Sequence, residues 1–359
     1  MFRLRQSLLL LSLFLAMLGA RAWAAGAAQA PTGATVLIYH HFGDDRYPTT
    51  NVSLDNFRQQ MAYLLAHNYR VIPLAQLVRA LADGHPLPQK AVVITIDDGY
   101  RSIYDRAWPI LKAYGYPFTV FLYVEGLEKG YSNYLTWDQV KEMQAAGVDF
   151  QDHGYAHGRM ANPPPALDEQ GYRQWLSADL VRSGRTLLQR LGERPSFLAI
   201  PYGEYSRELL EEAQKLGYEA IFSQDPGAVG PETSPFLIPR EPILGREWST
   251  LKHFEEILQR VDLPIDRLQP PLGRLAANPA TFSARVSHPE RYLPNSFGVY
   301  VSQYGWLPAR LEGDLVQVKN PGRLSRRLNR VMVSAKEKES GRTALRTWLL
   351  VQPGKAAQE

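Results

Sequence analysis

The chain has 359 residues, 45% of them hydrophobic, with 40 Lys/Arg against 36 Asp/Glu and no cysteine. That length accommodates one large α/β domain plus a smaller module, and the lack of cysteine excludes a disulfide framework and a lipid-bearing cysteine behind an export signal. The net charge of +4 is uneven: residues 271–359 carry 14 Lys/Arg and 6 Asp/Glu, a net +8 that leaves −4 for residues 1–270, so the tail suits either an anionic partner or a well-solvated face.

The basic start MFRLRQ precedes SLLLLSLFLAMLGA. This apolar run falls short of the ~20 residues that cross a bilayer and has the length of a signal-peptide core. Ala20-Arg21-Ala22 and Ala22-Trp23-Ala24 both offer a small-x-small cleavage pattern. The expectation is a leader over residues 1–24, export to the periplasm or beyond, and no membrane span in the mature protein.

Strand-length apolar runs then alternate with amphipathic stretches. TVLIYH (35–40) precedes LDNFRQQMAYLLAHN, AVVITID (91–97) precedes IYDRAWPILKAYG, and PFTVFLYV (117–124) precedes TWDQVKEMQAAG. VDFQDH (148–153) leads to a long polar helix near 168–191, SFLAIPYG to SRELLEEAQKLG, and YEAIFS to a loop ending in FLIPREPI. Alternation of this kind predicts βαβ units and a parallel sheet, and about seven units predict a closed or nearly closed barrel whose chemistry sits at the carboxyl ends of the strands. The tail alternates at period two in FGVYVSQYG, DLVQVKN, NRVMVSAKE and TWLLVQP, which predicts a small antiparallel sandwich or barrel serving as a polymer-binding module or as a brace.

One strand ends in two adjacent carboxylates, Asp97 and Asp98, followed by Gly99. Asp-Gly is an ordinary turn pair, but two like charges so close also call for something positive between them, and a cation answers. His153 and His157, four apart and each followed by glycine in DFQDHGYAHGRM, read as a loop in which both imidazoles can reach one ion. Two His and one carboxylate suit zinc and its neighbours and leave positions open for water and substrate.

TIDDG at 95–99, HGYAH at 153–157 and PYG at 201–203, in this order and at these separations, resemble the motifs of the polysaccharide deacetylases of carbohydrate esterase family four. VLIYHHFGDD and the PLPQKAVVITIDDGYRSIYDRAWPILKAYGYPFTVF stretch are most similar to the poly-β-1,6-N-acetylglucosamine deacetylases of biofilm matrix export. The resemblance covers about residues 35–262. It implies a distorted (β/α)7-type barrel over 35–265, a small C-terminal all-β domain over 271–359, and metal-dependent N-deacetylation of an acetylated polysaccharide.

Carried over by position, the resemblance makes Asp97 the catalytic base, Asp98, His153 and His157 the metal triad, and His40 the general acid. The backbone N–H of Tyr202 would help hold the oxyanion. It implies one divalent ion, with zinc preferred and Co2+, Ni2+ or Fe2+ as alternatives, and polysaccharide export or synthesis proteins as partners; nucleic acid is not expected for an exported protein. Two departures stand out: Gly154 replaces a Ser or Thr that braces the histidine loop, and Ala199 replaces the arginine that tethers the base. Arg240 in FLIPREPI is the substitute candidate for that arginine, with Asp225 a weaker candidate to orient it.

His41 is less suited than His40 as acid, and His253 reads as helix surface. Tyr100, Tyr202, Tyr205 and Trp248 are candidates to stack on sugar rings. Other expectations compatible with the sequence are deacetylation of peptidoglycan or chitin-like oligosaccharides, O-acetyl ester hydrolysis, or a polysaccharide-binding protein with weak chemistry.

Overall fold

The computed structural model describes residues 33–164 and 167–352. The expected leader and its cleavage sites lie outside the described residues. Among the described residues no helix is long and apolar enough to cross a membrane.

The first strand, β1 (Ala34–Tyr39), is buried at every position, as a strand covered on both faces must be. A short parallel pair, β2 (His41–Phe42) and β3 (Asn51–Val52), leads into α1 (Leu54–Ala66), whose N-cap Ser53 accepts from the Asn56 N–H. β4 (Arg70–Val71), α2 (Leu74–Asp83) and β5 (Ala91–Ile96) follow, and β5 is again buried throughout. Next come α3 (Trp108–Tyr114), β6 (Thr119–Leu122), α4 (Val124–Glu128), α5 (Trp137–Ala145) and β7 (Asp149–Asp152). The long helix expected near 168–191 is α6 (Glu169–Leu191), started by the Asp168 carboxylate accepting from the Gly171 N–H. β8 (Phe197–Ala199), α7 (Arg207–Lys215), β9 (Ala220–Phe222), β10 (Glu241–Pro242) and α8 (Leu251–Leu258) complete the α/β part.

The eight strands form one parallel sheet in the order β10-β1-β5-β6-β7-β8-β9, with β4 paired to the first residues of β5. The sheet curls until one segment joins its edges. Ile238 N–H donates to Ile221 on β9 at 2.8 Å and its carbonyl accepts from Ser223 N–H, while Ile243 N–H donates to Ile38 on β1 at 2.9 Å and β10 pairs with β1. Residues 238–243 thus close the barrel. Alternation along β5 places Val93, Thr95 and Asp97 on one face and Val92, Ile94 and Ile96 on the other. Val93 packs with Val36, Phe121, Phe222 and Ile238, and the Val92 row packs among residues of α1, α3, α5 and α8.

The remaining strands are β11 (Val261–Asp262), β12 (Ile265–Gln269), β13 (Gly273–Arg274), β14 (Thr281–Val286), β15 (Gly298–Val301), β16 (Gly305–Pro308), β17 (Arg310–Glu312), β18 (Leu315–Lys319), β19 (Leu328–Lys336) and β20 (Thr343–Val351). They make a six-stranded sheet, β11-β20-β19-β15-β16 with β13 on β20, and a four-stranded sheet, β12-β14-β18-β17. The period-two pattern of the tail has a physical cause: the inward residues Val299, Val301, Val331, Val333, Val316 and Val318 share one core between the sheets. The sandwich begins at Val261 rather than at the expected 271. The stretch LQPPLG, residues 268–273, lies inside it, where Leu268 and Leu272 pack on the core and the Trp348 indole donates to Pro270 O at 3.1 Å.

Trp348 is the largest fully buried side chain among the described residues. Trp348→Ala should therefore cost about 3–5 kcal/mol in urea unfolding, with Trp348→Phe costing less because it keeps most of the volume.

Candidate active site

The carboxyl ends of β1, β5, β7 and β8 converge on one mouth. Asp97 continues the inward row of β5 and is fully buried. Its two oxygens each receive a guanidinium N–H from Arg240 at 2.7 Å, and Arg240 also donates to Thr95 Oγ1 at 3.1 Å and to Ser223 O at 2.8 Å. This is the two-point fork that arginine makes with a carboxylate. The Arg240 guanidinium also lies over the Phe121 ring, 5.4 Å from its centroid. Burial pushes the Asp97 carboxyl up, but Arg240 and then His153 outweigh it and leave its pKa below the ordinary value.

Asp98 sits one residue later, where the chain turns at a φ of 73°, and this turn points its carboxylate away from its neighbour's partner. Asp98 Oδ1 lies 3.3 Å from His153 Nε2 and 3.0 Å from His157 Nε2. These are ion-pair separations, yet neither Asp98 Oδ1 nor His153 Nε2 makes a hydrogen bond although both are buried. Buried polar atoms without partners need an explanation. The two imidazoles supply it by geometry: His153 Nδ1–H donates to Ala199 O at 2.8 Å and His157 Nδ1 faces the Tyr202 hydroxyl at 3.2 Å. The carbonyl leaves His153 Nε2 as an acceptor in the neutral ring, and a Tyr202 hydroxyl that accepts from His157 Nδ1–H leaves His157 Nε2 the same; one atom from each of Asp98, His153 and His157 lies within 4.8 Å of the others. Such a set fits a divalent cation, with outer hydrogen bonds that orient the ligands.

His40, at the end of β1, is buried, and its Nδ1 has no partner. Burial lowers its pKa, while Asp98 and Asp97 pull it upward, which places the ring within the field of both carboxylates. His41 has a different neighbourhood. It is stacked between Tyr47 and Tyr100, with centroids at 4.0 and 3.6 Å, and burial brings its pKa to about 4.

Tyr202 is 40% exposed and holds a φ of 58°. Asp98, His157 and Tyr202 are thus three non-glycine residues in the left-handed region around one site, a concentration of strain typical of functional loops.

The histidine loop is braced from outside its own sequence. Asp179 on α6 accepts from the Tyr155 N–H at 2.8 Å and the Ala156 N–H at 2.9 Å, and Asp152 accepts from the Gly154 N–H at 2.7 Å. Asp152 is in turn held by Ser183 and Tyr218. Gly154 has a φ of 76°, and a Cβ there would meet Met160 Cε at 3.0 Å and Asp179 Oδ2 at 3.1 Å. The glycine is what this brace requires.

Some sequence expectations change in three dimensions. Tyr205 is fully buried and donates to Asp225 at 2.6 Å, so it offers no ring to a sugar. Tyr100 is stacked on His41, and Trp248 packs edge-on against His253. His253 is half-buried on α8 rather than a free surface residue. Asp225 does adjoin Arg240, but through its carbonyl, which accepts the Arg240 backbone N–H at 3.0 Å.

The sequence reading missed an aromatic belt. Tyr100 packs on Tyr134, Tyr134 on Tyr123 and Tyr131, Tyr123 on His157, and His157 on Tyr202, with centroids 4.6–6.1 Å apart. Tyrosines dispersed from 100 to 202 carry no local pattern by which to recognise it.

Comparison with known proteins follows the same residues. The polysaccharide deacetylase family model matches residues 84–221, which includes Asp97, Asp98, His153, His157 and Tyr202 but stops short of His40 and Arg240. The chain is 30% identical over 220 residues to the poly-β-1,6-N-acetyl-D-glucosamine N-deacetylase of Escherichia coli K12, across 51% of this chain and 32% of that protein. The match therefore spans about a third of that relative's length. It is 28% identical over 217 residues to the enzyme of the same name from Staphylococcus epidermidis, across 58% of this chain and 73% of the relative. The structure of IcaB from Ammonifex degensii superposes with a TM-score of 0.55 at 26% identity, covering 64% of this chain and 97% of that one.

Gly154→Ala should cost about 1–2 kcal/mol from the left-handed backbone alone, and the displaced Asp179 should weaken uptake of added divalent cations as read by calorimetry.

Proposed function

We propose that this chain, which carries a polysaccharide deacetylase domain, removes N-acetyl groups from an extracytoplasmic N-acetylhexosamine polymer, with poly-β-1,6-N-acetylglucosamine as the substrate best supported. The observation that carries the reading is the division of two adjacent carboxylates, one locked to Arg240 and the other turned toward two imidazoles. The shared name of the Escherichia coli and Staphylococcus epidermidis relatives supports the choice of polymer. Polysaccharide synthesis or export proteins are the partners this function calls for.

Asp98, His153 and His157 would hold a divalent cation, for which zinc suits the donors and cobalt, nickel or iron also fit, and the chemistry it would supply there is Lewis-acid polarisation of an acetamide carbonyl and acidification of water. Asp97 is the base. Its lowered pKa keeps it ionised at neutral pH, and the Arg240 fork fixes its direction, which matters because proton transfer requires alignment before it requires basicity. His40 gives a proton to the departing amine, since an unprotonated amide nitrogen is a very poor leaving group. The Tyr202 backbone N–H serves the developing oxyanion, where a prepositioned donor is most effective.

Gly154 and Ala199 are the features that favour a binding protein with weak chemistry. Asp179 and Arg240 offset them, one by bracing the loop and the other by occupying the space beside Asp97, and this supports the enzyme.

The test is release of free amines from β-1,6-linked N-acetylglucosamine oligomers by the full chain, after chelation and after zinc, cobalt or nickel is restored. Loss with chelator and recovery with metal is expected; activity confined to peptidoglycan fragments, chitin oligomers or acetyl esters moves the substrate assignment instead. Asp98→Ala should lose both metal and activity. Asp97→Asn and His40→Asn should keep their metal and lose about 10²–10⁴-fold in kcat, whereas His41→Asn should do far less. An Asp97→Asn variant with near-normal turnover removes that residue as base.

A further inference from the structure

The C-terminal sandwich reaches the apparatus that holds Asp97. Asp225, at the end of β9, is almost fully buried. One of its carboxylate oxygens accepts from Tyr205 OH at 2.6 Å and the other from Arg330 Nε on β19 at 3.0 Å. Leu349 on β20, the cross-strand partner of Arg330, donates its N–H to the same Tyr205 oxygen at 2.8 Å. Asp225 is tied back into the barrel as well: its N–H donates to Ser223 Oγ at 3.2 Å, its carbonyl accepts Arg240 N–H, and Ser223 O accepts Arg240 Nε. Three links therefore connect a residue of the sandwich to the base: Arg330 to Asp225, Asp225 to Arg240, and Arg240 to Asp97.

We propose that Arg330 is a positioning residue for the deacetylation reaction: by pairing with Asp225 it holds the barrel-closing segment 238–243 in the place from which Arg240 orients Asp97. This rests on the function proposed above. A buried carboxylate is stable only with a charged or hydrogen-bonding partner. Arg330 supplies that charge directly, with Arg346 more distant in the electrostatic surroundings of Asp225. Without Arg330 the carboxylate loses its ion-pair partner, keeps the Tyr205 hydroxyl on one oxygen, and turns its other oxygen toward solvent. That change loosens the turn 223–226 that supports both the main chain and the side chain of Arg240. The ligands Asp98, His153 and His157 sit on other strand ends and are untouched.

The experiment uses the full chain and measures kcat, KM and metal content for Arg330→Ala and Arg330→Lys, each alone and combined with Arg240→Lys. Arg330→Ala should lower kcat about 10- to 100-fold, the scale of a small misplacement in a catalytic array, with KM within about twofold and metal content unchanged. Arg330→Lys should recover part of the loss. The effect of Arg330→Ala should shrink once Arg240→Lys is present, because two residues acting through one tether are not additive. A raised KM at constant kcat, or an equal loss in both backgrounds, overturns the proposal.

Hydrogen exchange of the amides at 238–243 gives a readout that needs no substrate. Faster exchange there in Arg330→Ala, with α1 unchanged, supports the tether; unchanged exchange refutes it. A wild-type chain inert on every acetylated glycan, with faster exchange in the variant, overturns the functional reading and leaves the tether supported. If Arg330→Ala does not fold, Arg330→Lys carries both measurements, and wild-type kcat and exchange in that variant overturn the proposal.

Discussion

The ion pair between Arg240 and Asp97 constrains everything around it. Both side chains are fully buried, and two charges taken out of water are tolerated only when the geometry is good and the remaining donors are satisfied. Both conditions hold: the fork meets both carboxylate oxygens, and Thr95 and Ser223 take further donors of the same guanidinium. The arginine belongs to the segment that seals the sheet between β9 and β1. Barrel closure and orientation of Asp97 are therefore one structural event.

Once Asp97 is neutralised in this way, Asp98 is available for other work. A carboxylate paired with arginine no longer needs a cation, so its neighbour can face His153 and His157 without the repulsion that two bare carboxylates would suffer. The separation depends on the left-handed turn at Asp98, and the same conformation recurs at His157 and Tyr202. Backbone strain of this kind persists only where surrounding contacts determine it. Here Asp152 and Asp179 hold the main chain of the histidine loop, and Arg159 spans Tyr202 and Glu204, stacking on the ring of the former and ion-paired to the latter.

The charge asymmetry along the chain has a partly internal destination. Arg327 pairs with the buried Glu204 at 2.7 Å, Arg330 with the buried Asp225, and Arg346 donates to Leu237 O. Two cations of the basic tail, Arg327 and Arg330, thus neutralise acids that flank the site, so the excess of positive charge is not evidence by itself for an anionic polymer. Leu349 and Val351 of β20 also pack among α6 and α7 residues such as Leu176, Leu180 and Leu209. The sandwich and the barrel share a core there.

The parallel barrel was legible because its strands are continuous apolar runs separated by helices of ordinary length, and β1 and β5 are buried on both faces. The sandwich was legible because alternation at period two survives in four of its segments. TIDDG and HGYAH were legible because chemistry needs those residue types close together in the chain, where local spacing already restricts geometry. What local spacing cannot express is which distant residue fills a vacated position. Ala199 and Gly154 read as losses; Arg240 was a candidate to fill the first, and the guanidinium beside Asp97 does come from it, whereas the loop brace at residue 179 had no local signal. Likewise nothing local distinguishes buried Tyr205 from exposed Tyr202, three residues apart. By itself the sequence determined the order of strands and helices and the residue types at the mouth. Only the tertiary structure decided which carboxylate met the arginine, because that choice depends on the closure of a sheet whose edges are separated by most of the chain.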